Sequence, residues 1–207
     1  MSGIVTQNVL GNSGLIKAVE AAGGAWAEIK TLTASSSATL SFVNGADDVV
    51  LDSTYPIYVF EFISLHPATD DSQFQFNFSV DTGSNYNVTK TTNLVKAHHS
   101  EGDASALAQD TGNDMQQSTS FANLCVSIDN DADSNISGKF WLFNPSSTTF
   151  AKHFLSDIQQ VEHGSYAHRA LCGGYGNTTS AVDAIQFKMG SGNTDAGKIK
   201  LFGLKDS

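Results

Sequence analysis

The sequence predicts an all-β protein, an antiparallel β-sandwich that is jelly-roll-like and carries an extended N-terminal arm. Three observations predict it. Short apolar stretches alternate with period two, turn-forming clusters of Gly, Asn, Asp and Ser separate them, and the chain holds 13 phenylalanines to fill a core. No internal repeat is visible, which argues against a solenoid or propeller. Residues 1–24 read as the arm and residues 25–207 as the β domain.

The arm comes first. Gly3, Gly11, Gly14, Gly23 and Gly24 punctuate it, and its apolar residues fall out of any period. Such a segment orders only when it lies on something, although a short helix fits within Leu15–Ala22. From Trp26 onward the period is two. Leu40 and Phe42 share one face of Thr39–Val43. Ile57–Leu65 is apolar on both faces, as a central strand covered on both sides would be. Gln73–Val80 is the clearest strand, with Phe74, Phe76, Phe78 and Val80 on one face and Gln73, Gln75, Asn77 and Ser79 on the other.

Leu124–Ile128, Lys139–Phe143, Ala184–Met189 and Lys198–Leu204 follow as strands. Turns are expected at Asn44-Gly45, Asp81–Asn85, Ile128–Gly138 and Gly190–Gly197. Ser100–Ser120 is too polar for a core and reads as a surface loop with one helical turn near Ala104–Gln109. In Thr149–Val161, the residues Phe150, Phe154, Ile158 and Val161 recur at three-to-four spacing, the pattern of an amphipathic helix. An irregular strand accommodates the same residues, and both readings stay open. In the last strand Ile199, Leu201 and Gly203 face one way. Lys198, Lys200, Phe202 and Leu204 face the other, so the outer side turns from charged to apolar. That pattern fits either a subunit contact through Phe202 and Leu204 or a further layer of the same chain.

Charge narrows the function. Of 207 residues, 21 are acidic and 11 basic, a net charge of −10. Charged residues make up only 15%, against about 25% in ordinary globular chains. A disordered acidic chain would carry more charge and fewer aromatics. Without a basic stripe, neither nucleic acid nor an anionic membrane surface is an expected partner. The densest apolar run, Pro56 to Leu65, is broken by Glu61 and is far short of the roughly 20 residues a membrane helix needs. The N-terminus shows no basic and apolar signal pattern, so synthesis in a cytoplasm is expected. Cys125 and Cys172 lie in apolar strand-like stretches, where two buried thiols are favoured over one disulfide.

Motifs for chemistry are weak. Asp129, Asp131 and Asp133 alternate as Ca²⁺ ligands do, yet Ser134 and Phe140 stand where an EF-hand loop needs Gly and Glu. A solvated acidic hairpin loop is the better reading. His66, His98, His99, His153, His163 and His168 follow no zinc spacing. Cys172-Gly173-Gly174 has no basic partner in local sequence, and Gly173–Gly176 reads as a turn or strand kink. Glu61 is the one acid embedded in an apolar strand, which more often marks a salt bridge or interface than a general acid. Tyr55, Tyr58, Tyr86, Trp141, Tyr166 and Tyr175 offer an aromatic platform for sugar. No catalytic residue, metal site or cofactor is expected.

Three stretches carry a family resemblance: MSGIVTQNVLGNSGLIKA, YPIYVFEFISLHPATDDSQFQFNFSVDTGSNYN and AIQFKMGSGNTDAGKIKLFGLK. Together they resemble small virion structural proteins of tailed bacteriophages, particularly phages of marine cyanobacteria. Ser100–Ser120 and Thr149–Val161 lie outside the resemblance. It implies a capsid decoration (cement) or fibre subunit located in the virion, without catalytic residues or cofactors. Its partners would be the major capsid protein or other virion proteins and further copies of itself, with a trimer among the admissible forms. Ile4, Val5, Val9, Leu10, Leu15 and Ile16 would anchor the arm, and Phe202 and Leu204 would serve the oligomer contact. The alternative is a lectin-like tip module that binds host glycan.

Overall fold

The computed structural model describes residues 25–206. The expected arm, with Ile4, Val5, Val9, Leu10, Leu15 and Ile16, lies outside them. The described residues form twelve β-strands and no helix. In chain order the strands are β1 (Trp26–Thr33), β2 (Leu40–Val43), β3 (Ile57–Pro67), β4 (Ser72–Ser79), β5 (Lys90–Ser100) and β6 (Ser105–Gln109). Then come β7 (Ala122–Ile128), β8 (Ile136–Phe143), β9 (Lys152–Glu162), β10 (Tyr166–Gly176), β11 (Ala184–Met189) and β12 (Thr194–Leu204).

All pairings are antiparallel, in the order β1-β12-β3-β8-β9-β7-β4-β11-β2. A branch runs from β9 through β10 and β5 to β6. The β7–β9 junction is a single pair, Ile128 with Glu162. The sheet bends there, so its β4–β11–β2 portion covers the inner face of β3, β8 and β9.

Phenylalanine alternation drives this closure. Phe74, Phe76 and Phe78 on β4 are fully buried and face inward at every second residue. Phe76 meets Phe140 of β8 at 4.9 Å and Phe154 of β9 at 4.8 Å between ring centroids. Phe62 of β3 meets Phe74 at 5.0 Å, and Phe42 of β2 meets Phe60 of β3 at 5.2 Å. Most of these pairs are edge-to-face, which places a positive ring edge against a negative face. Two pairs stack instead, Phe140 on Phe154 and Phe74 on Phe187.

Several sequence expectations change. Of the two readings open for Thr149–Val161 the strand holds, since β9 runs through Lys152–Glu162. Phe154 and Ile158 do point inward, but so do Ser156 between them and Gln160 after them, all buried. Buried polar residues at those two positions masked the period of two, while Phe150 and Val161 are exposed. The helical turn expected at Ala104–Gln109 is likewise a strand, β6, which pairs with β5 from His99↔Ser105 to Val95↔Gln109. Its backbone ladder, not burial, holds it extended, for all five of its residues are exposed.

Gly173–Gly176 is neither turn nor kink but the end of β10. A Cβ on Gly174 would run into the Thr91 carbonyl and the Phe154 ring, so only glycine lets β5 and β9 approach it. Val80 lies beyond β4 and is exposed. Ile57–Leu65 is central as expected, but its outer side is only partly covered, since Val59 is buried while Ile63 is exposed.

Candidate functional site

The outer face of β1, β12, β3, β8, β9 and β10 gathers the residues best suited to contact a partner. Cross-strand register sets its rows. Phe202 lies opposite Val59, Val59 opposite Trp141, and Trp141 opposite Leu155. An apolar row therefore crosses four strands. A second row beside it holds Leu204, Ile57 and Phe143. Leu155 is 54% exposed and Trp26 47%, whereas Val59 is only 1% exposed and forms a floor. The expected pair Phe202 and Leu204 does lie on this face, half-buried, while Ile199 and Leu201 point into the core.

Trp26 stands edge-on to Phe202 at 6.1 Å. With Val59, Glu61 and Lys139 they line a hollow of about 190 Å³. A second hollow, of about 380 Å³, is lined by Trp141, Val95, Leu155, Leu171 and Gly173 among others.

Charged groups alternate in sign beside the apolar row, with Lys200, Glu61, Lys139 and Asp157 in register and Glu28 and Arg169 reaching them from positions opposite Phe202 and Gln159. Glu28 meets Lys200 at 3.3 Å, Lys200 lies opposite Glu61, and Glu61 meets Lys139 at 3.5 Å. Lys139 lies opposite Asp157, which holds Arg169 through two bonds of 2.8 and 2.6 Å. The Thr31 hydroxyl, and then Lys200, hold the Glu28 carboxyl below its usual range. Arg169 does the same for Asp157, which in turn raises the guanidinium. Glu61 is thus one member of a charge row on an open face, the salt-bridged alternative of its sequence reading.

The other candidates fall elsewhere. Asp129, Asp131 and Asp133 border a depression of about 520 Å³ together with Glu101, His99 and Tyr166. Asp129 is occupied by its own loop, accepting from the Asp131 N–H at 2.9 Å and from the Ser134 hydroxyl at 3.3 Å. Asp131 and Asp133 do not join it in a ligand set. Among the described residues, Asp129 groups instead with Asp70 and His163, and His163 Nδ1 already lies 2.9 Å from Asp70.

His98 and His99 point to opposite sides as expected, His98 toward Tyr166 and His168, and His99 toward Asp103. Cys125 and Cys172 are free and buried. Burial raises both thiols, that of Cys172 to about 12, so neither is an activated nucleophile. Of the six aromatics nominated for sugar binding, Tyr58 is fully buried and the others are half-buried. The ring that protrudes from this face is Trp26, which the sequence reading passed over.

Sequence reasoning also missed Leu155, Lys139 and Asp157, because their significance arises only from register. It missed the buried polar groups Lys90, Lys152 and Gln160 as well, and the burial of His168. Their signal was a polar residue at an inward position of an otherwise alternating strand. No helix among the described residues is long and apolar enough to cross a membrane. No protein-family model matches the chain, and no curated protein matches its sequence.

Proposed function

We propose that this chain is a bacteriophage virion structural protein, a capsid decoration or fibre subunit that acts by binding other virion proteins. The observation that carries the reading is the broad outer face, where Trp26, Phe202, Trp141 and Leu155 adjoin a charge row on a sheet backed by a packed aromatic core. A rigid face that combines exposed apolar groups with ordered charges is suited to a protein contact. The net charge of −10 keeps many copies apart except where such a face matches its partner. We read the finer architecture as a jelly-roll-like β-sandwich, which the ring contacts between the two portions of the sheet support.

In this reading residues 1–24 serve as an anchoring arm through Ile4, Val5, Val9, Leu10, Leu15 and Ile16. Deleting residues 1–16 should abolish incorporation into particles while the isolated protein keeps its β-rich circular dichroism. Normal occupancy after that deletion would reject the arm.

One observation favours a second reading, a lectin-like module for host glycan. Trp26 stands at the mouth of a hollow that also presents Glu61 and Lys139, and an exposed ring beside hydrogen-bonding groups suits a sugar. A glycan array with wild type and Trp26→Ala tests it. Binding lost in the variant supports the lectin, and a flat response removes it.

A further inference from the structure

We propose that the outer face of β12, β3, β8 and β9 is a twofold self-association surface whose occupant is a second copy of this chain. The inference refines the assembling role above and rests on that reading. Its basis is the order of charges. Across β12, β3, β8 and β9 the groups in register are Lys200, Glu61, Lys139 and Asp157, and Glu28 and Arg169 reach the two ends of this row from the rows on either side. Base and acid alternate, and the row begins with a base and ends with an acid. Read backwards, every acid is replaced by a base.

A second copy laid face to face, about a twofold axis parallel to the strands and passing between β3 and β8, reverses strand order but keeps position along the strands. Lys139 of the second copy then lies over Glu61 and its Asp157 over Lys200, while Glu28 and Arg169, set to opposite sides of this row, take no part in the match. An axis perpendicular to the strands would set Glu61 over Glu61 and Lys139 over Lys139, which like-charge repulsion opposes. The charge row thus selects one of the two packings.

The apolar row agrees with the same axis. Trp141 of the second copy falls over Val59, the floor of the hollow between Phe202 and Lys139. Leu155 of the second copy falls over Phe202. A half-buried ring meets a recess, and the most exposed aliphatic of the row meets an aromatic. The area is adequate too. Four strands about 4.8 Å apart and up to about 35 Å long present roughly 600 Å² per copy, at the lower end of the size of a stable interface. Stacked sheets rotate by about 30°, so the pairs nearest the axis, Glu61 with Lys139 and Val59 with Trp141, carry the match. Such a contact is isologous and closes as a dimer. A trimer would need a different, heterologous surface.

The test is sedimentation velocity of the full chain as a concentration series, with wild type and Leu155→Glu. Leu155 is exposed, so the variant should keep the wild-type near-ultraviolet circular dichroism. We expect a wild-type dimer and at least a tenfold weaker association in the variant. A second measurement fixes the register. Lys200→Cys and Asp157→Cys chains are oxidised separately and mixed, the native thiols being buried. Disulfide-linked dimers should form far more readily in the mixture than in either chain alone. Monomeric wild type at every concentration, a dimer indifferent to Leu155→Glu, equal self-linking by Lys200→Cys alone, or a dimer lost only on deleting residues 1–24 would each overturn the proposal. Self-association can fail while incorporation into particles succeeds, so failure here is distinguishable from failure of the structural role.

Discussion

The Lys90 Nζ donates to Asn77 Oδ1 at 2.5 Å and to the Val88 carbonyl at 2.8 Å, inside a fully buried site. Among the described residues Lys90 has no ion pair. Burial pushes its ammonium down to about 7. The unfolded chain holds that proton up to about 10.5, so between these values the unfolded state binds more protons. Stability contributed by this group therefore rises with pH across that window and is incomplete at neutrality.

Lys90→Met should remove the slope. Relative to the variant, wild type should gain roughly 3 kcal/mol between about pH 7 and pH 9.5, read from urea midpoints. Parallel pH profiles would contradict the buried, unpaired lysine.

Phe140 is the hub of the aromatic core. It meets Phe76 at 4.9 Å, stacks on Phe154 at 5.4 Å, and touches Phe60 and Phe187 at 6.0 and 5.9 Å. Removing the ring leaves a cavity that four partners on β3, β4, β9 and β11 cannot close together. Phe140→Ala should cost about 3–5 kcal/mol in equilibrium denaturation. A loss below about 1 kcal/mol would mean a core that is not closely packed.

His168 behaves oppositely to a surface histidine. Its Nδ1 lies 3.0 Å from Gln160 Nε2 and 3.3 Å from Glu162, yet burial dominates and lowers its pKa from 6.5 to about 4. The nearby Lys96 and His98 charges act in the same direction. The unfolded chain takes up the proton first, so stability present above about pH 6.5 is lost as pH falls toward 4. His168→Gln should flatten this limb, a difference on the order of 2 kcal/mol against wild type. Urea titrations at a series of pH values measure it, and identical slopes would contradict it.

Cys125 and Cys172 should both resist a thiol reagent in the native protein and react fully once it is unfolded. Rapid native labelling of either would contradict their burial.

How much of this was legible depended on where side chains point. Phe74, Phe76 and Phe78 announced β4 because polar residues separate them. The last strand was equally plain, since Ile199 and Leu201 alternate with Lys198 and Lys200. β9 was ambiguous because Ser156 and Gln160 are polar and yet buried, so the apolar spacing mimicked a helix. β6 could not be read, for exposed residues carry no burial pattern and only its partner β5 holds it straight. The face was half legible. Phe202 and Leu204 stood out in one strand, whereas Val59, Trp141 and Leu155 acquire meaning only when β3, β8 and β9 come into register. The same holds for the charges, scattered from Glu28 to Lys200 in sequence and adjacent in space.

The proposed role as a building part of a virus particle is tested most directly by immunogold labelling of purified particles with an antibody to this chain. The account predicts label at a regular position and constant number per particle. Unlabelled particles, with the chain confined to the soluble fraction of the lysate, would contradict it.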